Sequence, residues 1–238
     1  MNDQLSPKVV LGIAAHPDDL DFYAGGTMAT FAKQGATVYY LVLTDGGKGS
    51  ADRNATPESV QATRQQEQQK AAKALGVQEV FFCSYPDGAL ENTLAVKRDV
   101  VKTIRQVRPD VVISLDPSVL YSTTQGFINH ADHRAAGQAA LDAVYPLARD
   151  HMSFPDLLEA GYEPHKVDTV LLTRFNEPGT TFAVNITDTI EAKLEAVSAH
   201  LSQSTVQEMK ATIRDLAVAS GQPYGYQYAE AFVRIDIR

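Results

Sequence analysis

Residues 8–44, KVVLGIAAHPDDLDFYAGGTMATFAKQGATVYYLVLT, open on an apolar run and close on a second, β-branched one. Between them lies a short stretch that places one histidine and three aspartates within six positions, His16 to Asp21. Met28, Phe31 and Ala32 then recur at helical spacing, and Gly35 is a natural helix stop. Strand, helix, strand in this order is the unit of a parallel sheet with crossover helices. Two further runs, EVFFCSY (79–85) and DVVISLD (110–116), extend the alternation. A helix over 56–76 starts on Thr56, Pro57 and Glu58 and stops at Gly76. Another over 92–109 halts at Pro109, and a fourth follows His130 and runs through AAGQAALDAVYPLA (135–148).

Beyond residue 150 the texture changes. HMSFPDLLEAGYEPH (151–165) is rich in breakers, and 150–166 reads as a flap or rim loop. Strands are expected at 166–175 and 181–187, helices at 188–202 and 205–219, and a last strand at YAEAFVRIDI (228–237). There is no internal repeat, low-complexity tract or flexible linker, so 1–238 reads as a single domain. The predicted fold class is α/β: a Rossmann-like open sheet, mostly parallel, with helices on both faces.

A formal net charge of -8 argues against binding along phosphate backbones, which needs a basic surface to displace counterions. One cysteine, Cys83, excludes an internal disulfide framework and fits a reducing compartment; in its apolar strand a buried structural thiol is the default. MNDQLSPKVV lacks the cationic-then-apolar pattern of a secretory signal, and no apolar stretch approaches the ~18 residues that span a bilayer. The expectation is a cytoplasmic protein with no nucleic-acid or membrane partner. Tyr224, Tyr226 and Tyr228 alternate with small or polar residues, a pattern that suits either a homo-oligomer contact or ordinary strand packing.

In an open parallel sheet, ligands bind beyond the carboxyl ends of the strands. His16, Asp18 and Asp19 fall there after the first strand; His130, Asp132 and His133 fall there after the fourth. His130 and His133, three apart at a helix start, share a face. Taken singly, a histidine after a strand is most often a satisfied surface or core residue, and paired Asp at a turn are usually caps. Jointly, two of six histidines in H-x-x-H at one strand exit and a third beside Asp-Asp at another favour a metal site. A catalytic divalent ion wants about three His or carboxylate ligands and a place for water, and His16, Asp19 and His133 would supply that set. Adjacent side chains diverge in a turn, so one of Asp18 and Asp19 coordinates while its neighbour handles protons. Spacing alone leaves open which.

AHPDD (15–19) followed by GGT (25–27), together with HADH (130–133), resembles the LmbE-like, or PIG-L, N-acetylglucosaminyl deacetylase family. TRQQEQQKAAKALGV (63–77) resembles the family's Arg-x-x-Glu helix, and PDG (86–88), AHLSQ (199–203) and YAEAF (228–232) fall in the expected order, so the likeness covers nearly the whole chain. It departs at Leu20, where the family usually has Glu, and at Ala131, where it usually has Pro; both departures spare the ligand positions. The resemblance implies removal of an acetyl group from an N-acetylglucosamine unit of a larger, small-molecule conjugate. It implies one zinc ion per chain, with Fe²⁺ as the other choice, on His16, Asp19 and His133, and Asp18 as general base. It further implies that His130, oriented by Asp132, donates to the developing oxyanion, that Arg64 reaches the substrate, and that Asp87 hydrogen-bonds a sugar hydroxyl. Asp21 could stand in for the missing acid; His200, Ser202 and Gln203 receive no catalytic role.

TDGGKGS (44–50) is not a phosphate loop, because Gly49 separates Lys48 from Ser50; it reads as a rim loop near the metal. No G-x-G-x-x-G follows the first strand and no G-x-S-x-G occurs. Two other functions fit the same residues. A metal-dependent phosphoesterase would hold two ions about 3.5–4 Å apart. A non-catalytic metal- or sugar-binding module would need neither Asp18 nor His130.

Overall fold

Side chains of β1 (Val9–Ala14) alternate between two interiors. The computed structural model describes residues 4–123, 126–174, 179–203 and 210–237. Val10 and Ala14 face one apolar cluster, shared with Met28 and Phe31 of α1 (Asp19–Lys33) and Leu75 of α2 (Pro57–Leu75). Leu11 and Ile13 face the other, with Val100 and Ile104 of α3 (Leu94–Val107) and Ala136, Ala139 and Ala140 of α4 (Ala131–Asp142). The period of two along a strand therefore becomes a sheet with a helical layer and a separate core on each face.

The sheet completes with β2 (Thr37–Thr44), β3 (Glu79–Tyr85), β4 (Val111–Leu115), β7 (Thr169–Thr173), β8 (Phe182–Asn185) and β9 (Ala229–Asp236). Its order is β3-β2-β1-β4-β7-β9-β8. The first five strands are parallel; β9 runs antiparallel to β7, and β8 antiparallel to β9. β1 lies between β2 and β4, with Val10 in register with Val38 and Val111. The chain leaves β1 in one direction and returns on its other side at β4, so the carboxyl ends of these two strands flank a topological switch point.

Of the predicted crossovers, α2 matches at both ends. Thr56 Oγ1 accepts from the Ser59 N–H, Ser59 Oγ accepts from the Thr56 N–H, and Gly76 closes the helix at φ 76°. α1 starts at Asp19, well ahead of Met28, the first residue of the helical pattern in the sequence, because Pro17 and Asp18 turn the chain at once and the Asp18 carbonyl already accepts from the Phe22 N–H at 3.0 Å. α4 ends at Asp142, short of the predicted 148; around Pro146, which has no N–H to continue the ladder, the chain forms a π-type turn, Ala143–Leu147. A two-stranded hairpin, β5 (Tyr121–Ser122) and β6 (Phe127–Ile128), precedes α4 and has no counterpart in the predicted elements.

Residues 150–166, expected as a flap or rim loop, include a one-turn helix, α5 (Pro155–Glu159), and are tied to Arg105 and to Pro109, just before the amino-terminal end of β4. Arg105 Nη2 donates to the carbonyls of Leu147, Asp150 and Ser153, and His165 Nε2 lies 2.8 Å from the Pro109 carbonyl, just before β4. Further helices among the described residues are α6 (Ile190–Ser198) and α7 (Lys210–Gly221). The predicted helix start at 205–209 and the last residue of the strand predicted at 166–175 lie outside the described residues. Among the described residues no helix is long and apolar enough to cross a membrane.

Candidate metal centre

β1 delivers His16, Asp18 and Asp19 to its carboxyl end, and the start of α4 delivers His130, Asp132 and His133 to the same place. The two segments meet at the floor of a cleft of about 340 Å³ that also takes in Arg64, Asp87 and the loop bearing Lys48 and Gly49. The rim position expected for residues 44–50 is thus observed at Lys48 and Gly49.

Asp19 divides its oxygens. Oδ2 accepts the backbone N–H groups of Ala15 (3.1 Å) and His16 (2.8 Å), tying the helix start to the strand end. Oδ1 lies 3.0 Å from His133 Nε2, and His16 Nδ1 lies 3.6 Å from Asp19 Oδ2. His16, Asp19 and His133 each offer a ligand atom, and these lie within 4.8 Å of one another. Two donors bound to one tetrahedral ion stand roughly 3.3 Å apart, given bonds of about 2.0–2.1 Å, so the trio fits a divalent cation. Its composition, two imidazoles and a carboxylate, suits zinc and also the facial set of ferrous iron.

The opposite nitrogen of His16 is engaged by carboxylates: Nε2 lies 3.2 Å from both Asp132 Oδ2 and Asp87 Oδ1. With the Nε2 proton held there, Nδ1 is the nitrogen that would give up its proton to face a cation, the arrangement in which an outer carboxylate fixes a ligand tautomer. Burial opposes a charged His16, but the hydrogen bonds to Asp132, Asp19 and Asp87 outweigh it and hold its pKa well above the usual value. Burial likewise opposes ionisation of Asp19, yet the charge and hydrogen bond of His133 keep its carboxyl well below the usual range.

Asp132, expected to orient His130, reaches two histidines through different groups. Its fully buried carboxylate accepts from the Gly88 N–H (2.7 Å) and Leu90 N–H (3.1 Å) and meets His16. What it gives His130 is its backbone N–H, which donates to His130 Nδ1 at 3.2 Å. That bond caps α4 and leaves the His130 proton on Nε2. Burial lowers the His130 pKa, helped by the charge of His16 and opposed by Asp132, favouring the neutral donor form.

Asp18 is pushed up to about 6 by burial, against the Arg64 charge that lowers it and with the Asp19 charge that raises it. Arg64, expected to reach the substrate, lines the cleft but commits its guanidinium to the protein: Nη1 to the Gly46 carbonyl (3.0 Å), Nη2 to the Pro17 carbonyl (2.6 Å) and to Asp18 Oδ2 (3.1 Å). Asp87, expected to meet a sugar hydroxyl, gives Oδ1 to His16 and accepts the Lys48 N–H on Oδ2 at 3.0 Å. The bond from His16 outweighs burial and lowers the Asp87 pKa to about 2. Asp21 lies in the interior, bound to His200 Nε2 at 2.7 Å. Gln68 escaped the sequence reading altogether; its Oε1 accepts the Asp18 N–H at 2.8 Å. The signal that could have found it is its spacing of four from Arg64, one face of α2.

The chain is similar to several known proteins. The diacetylchitobiose deacetylase of Thermococcus kodakarensis is 34% identical over 94% of this chain and 81% of its own length. A probable N-acetyl-alpha-D-glucosaminyl L-malate deacetylase of Bacillus anthracis is 29% identical over 87% of each chain. The structure of N,N'-diacetylchitobiose deacetylase from Pyrococcus horikoshii superposes with a TM-score of 0.87 at 29% identity, covering 97% of this chain and 84% of that one. The family model described as GlcNAc-PI de-N-acetylase matches residues 11–144, from β1 through α4, and so spans His16, Asp18, Asp19, His130, Asp132 and His133. The chain belongs to the PIG-L, LmbE-like family.

Proposed function

We propose that this protein is a metal-dependent N-deacetylase that hydrolyses the acetamide of an N-acetylglucosamine-type sugar or conjugate, with one ion per chain, zinc or ferrous, held by His16, Asp19 and His133. The observation that carries this reading is the convergence of His16, the Asp19 carboxylate and His133, with Asp18 beside them in an open cleft. Relatives named as deacetylases of diacetylchitobiose and of a GlcNAc–malate conjugate support the acetamido sugar as the substrate class.

When bound, such an ion supplies a Lewis acid that makes water acidic near neutral pH. Asp18 accepts the proton of the attacking water; a carboxylate pushed up to about 6 both takes and returns a proton readily near neutrality. As oxygen bonds to the amide carbon, His130 Nε2–H donates to the carbonyl oxygen that gathers charge, a contribution worth about 10²- to 10³-fold for one such donor. Asp18 then returns its proton to the sugar nitrogen as the C–N bond breaks, releasing acetate and the amine. Arg64 holds one oxygen of Asp18 and leaves the other for this transfer.

The two-ion phosphoesterase finds less support. In the second cluster, His16, Asp87, His130 and Asp132, the carboxylates already accept the N–H groups of Lys48, Gly88 and Leu90 and meet His16 Nε2, and His130 Nδ1 accepts from Asp132. The deciding experiment incubates metal-loaded protein with free N-acetylglucosamine, chitooligomers, and thiol-linked and lipid-linked glycosides, and reads loss of one acetyl unit by mass spectrometry with metal content by elemental analysis. Loss from at least one substrate and one ion per chain are expected. An intact panel would overturn the reading, and two ions per chain would favour the phosphoesterase.

A further inference from the structure

Asp18 carries a backbone conformation that its side chain opposes. At φ 97° and ψ -32° it sits in the region that favours glycine, and such a residue persists only where its surroundings over-determine it. Two residues one turn apart on α2 grip it. Arg64 Nη2 holds the Pro17 carbonyl and the Asp18 carboxylate, while Gln68 Oε1 accepts the Asp18 N–H at 2.8 Å.

The Gln68 amide cannot turn round. Its nitrogen donates to Asp21 Oδ2 at 2.8 Å. A carboxylate only accepts and a peptide N–H only donates, so a single orientation of the amide satisfies both neighbours. Asp21 is fixed in turn by His200 Nε2, and Gln68, Asp21 and His200 are all within 1% of complete burial. The metal trio is anchored separately, through Asp19 Oδ2 on the Ala15 and His16 N–H groups.

We propose that Gln68 is a positioning residue for Asp18: its side-chain amide, oriented by Asp21 and His200, holds the Asp18 peptide in its left-handed conformation and so aims the carboxylate into the cleft. This rests on the reading of Asp18 as the proton-accepting group. Deprived of the amide, the Asp18 N–H loses its acceptor, and the peptide relaxes to negative φ, carrying the carboxylate away from Arg64. The ligands keep their own bonds, so the cation stays.

The test compares Gln68→Met, which keeps the volume, with Gln68→Glu, which keeps an acceptor for the Asp18 N–H but sets a second carboxylate against Asp21. Gln68→Met is expected to lower kcat about 10- to 100-fold, with KM within about threefold and metal content unchanged. In the Asp18→Asn background the same substitution should cost nothing further, since residues acting as a unit are not additive. Gln68→Glu should be the less stable of the two yet lose less turnover. A crystal structure of Gln68→Met should show Asp18 at negative φ and off Arg64. Losses that multiply across the double variant, or Asp18 unmoved in that crystal structure, would overturn the proposal. If the unsubstituted enzyme leaves every acetylated sugar intact, the deacetylase reading falls on its own, and the Asp18 conformation in the crystal still decides the role of Gln68.

Discussion

Asp19 joins structure to chemistry within one carboxylate, and the two duties can be separated. Asp19→Asn can keep the acceptor for the Ala15 and His16 N–H groups while presenting an amide to His133. It should fold normally yet bind no stoichiometric metal. Asp19→Ala loses the acceptor as well and should cost an additional ~1–3 kcal/mol in urea unfolding of the metal-free protein. Asp18→Asn should do the opposite of Asp19→Asn, retaining metal and losing most turnover; full activity in a metal-replete Asp18 variant would remove Asp18 from the proton path. At Cys83, burial pushes the thiol up to about 12. At pH 8 only about one molecule in 10⁴ carries the thiolate, so the native protein should react with a disulfide reagent orders of magnitude more slowly than the urea-unfolded chain, where a cysteine titrates near ~8.5. The gathering of His16, Asp19 and His133 was legible because metal chemistry restricts residue type and the strand ends dictate place. That the Asp132 carboxylate would meet His16 was not, because the Gly88 and Leu90 N–H groups that capture it belong to a turn 42 residues or more away in sequence.

At the scale of the element, the seam between α4 and β4 sets how closely the two halves of the site approach. A Cβ built on Gly137 would stand 2.1 Å from the Leu115 carbonyl oxygen, a backbone atom that cannot yield without moving the strand. Gly137→Ala should therefore lift the helix that carries His130, Asp132 and His133. The expected cost is at least ~1–3 kcal/mol in chemical denaturation, together with weaker metal binding measured by chelator competition. A variant with normal affinity would show that the seam can give. The strands and α2 were readable because period-two and period-3.6 patterns span enough residues to be distinguished, and because Thr56 and Gly76 mark both ends of α2. β5 and β6, two residues each, are too short to carry any period, and the early start of α1 was hidden because Asp18, Asp19 and Asp21 resemble a turn as much as a first helical turn.

Across the whole molecule, the antiparallel flank is locked to the site by a buried ion pair. Glu230 of β9 accepts the Gly26 N–H on Oε1 (3.0 Å) and the Thr27 N–H on Oε2 (2.7 Å), and meets Lys193 of α6, with both charged residues at most 5% exposed. Glu230→Ala should destabilise the fold by about 3–5 kcal/mol, because Lys193 would remain buried without a counter-charge; a midpoint of urea unfolding within error of the parent would refute this. Removing metal with a chelator should also lower Tm, since a ligand that binds only the folded state adds to its stability by mass action. Sheet order adds a consequence for synthesis. Among the described residues β8 pairs with β9 alone, while β9 follows it by more than forty residues and enters between it and β7. On the ribosome β8 must wait unpaired until β9 has left the exit tunnel, so the nascent chain can finish its parallel half, with both segments of the candidate metal centre, before its sheet can close.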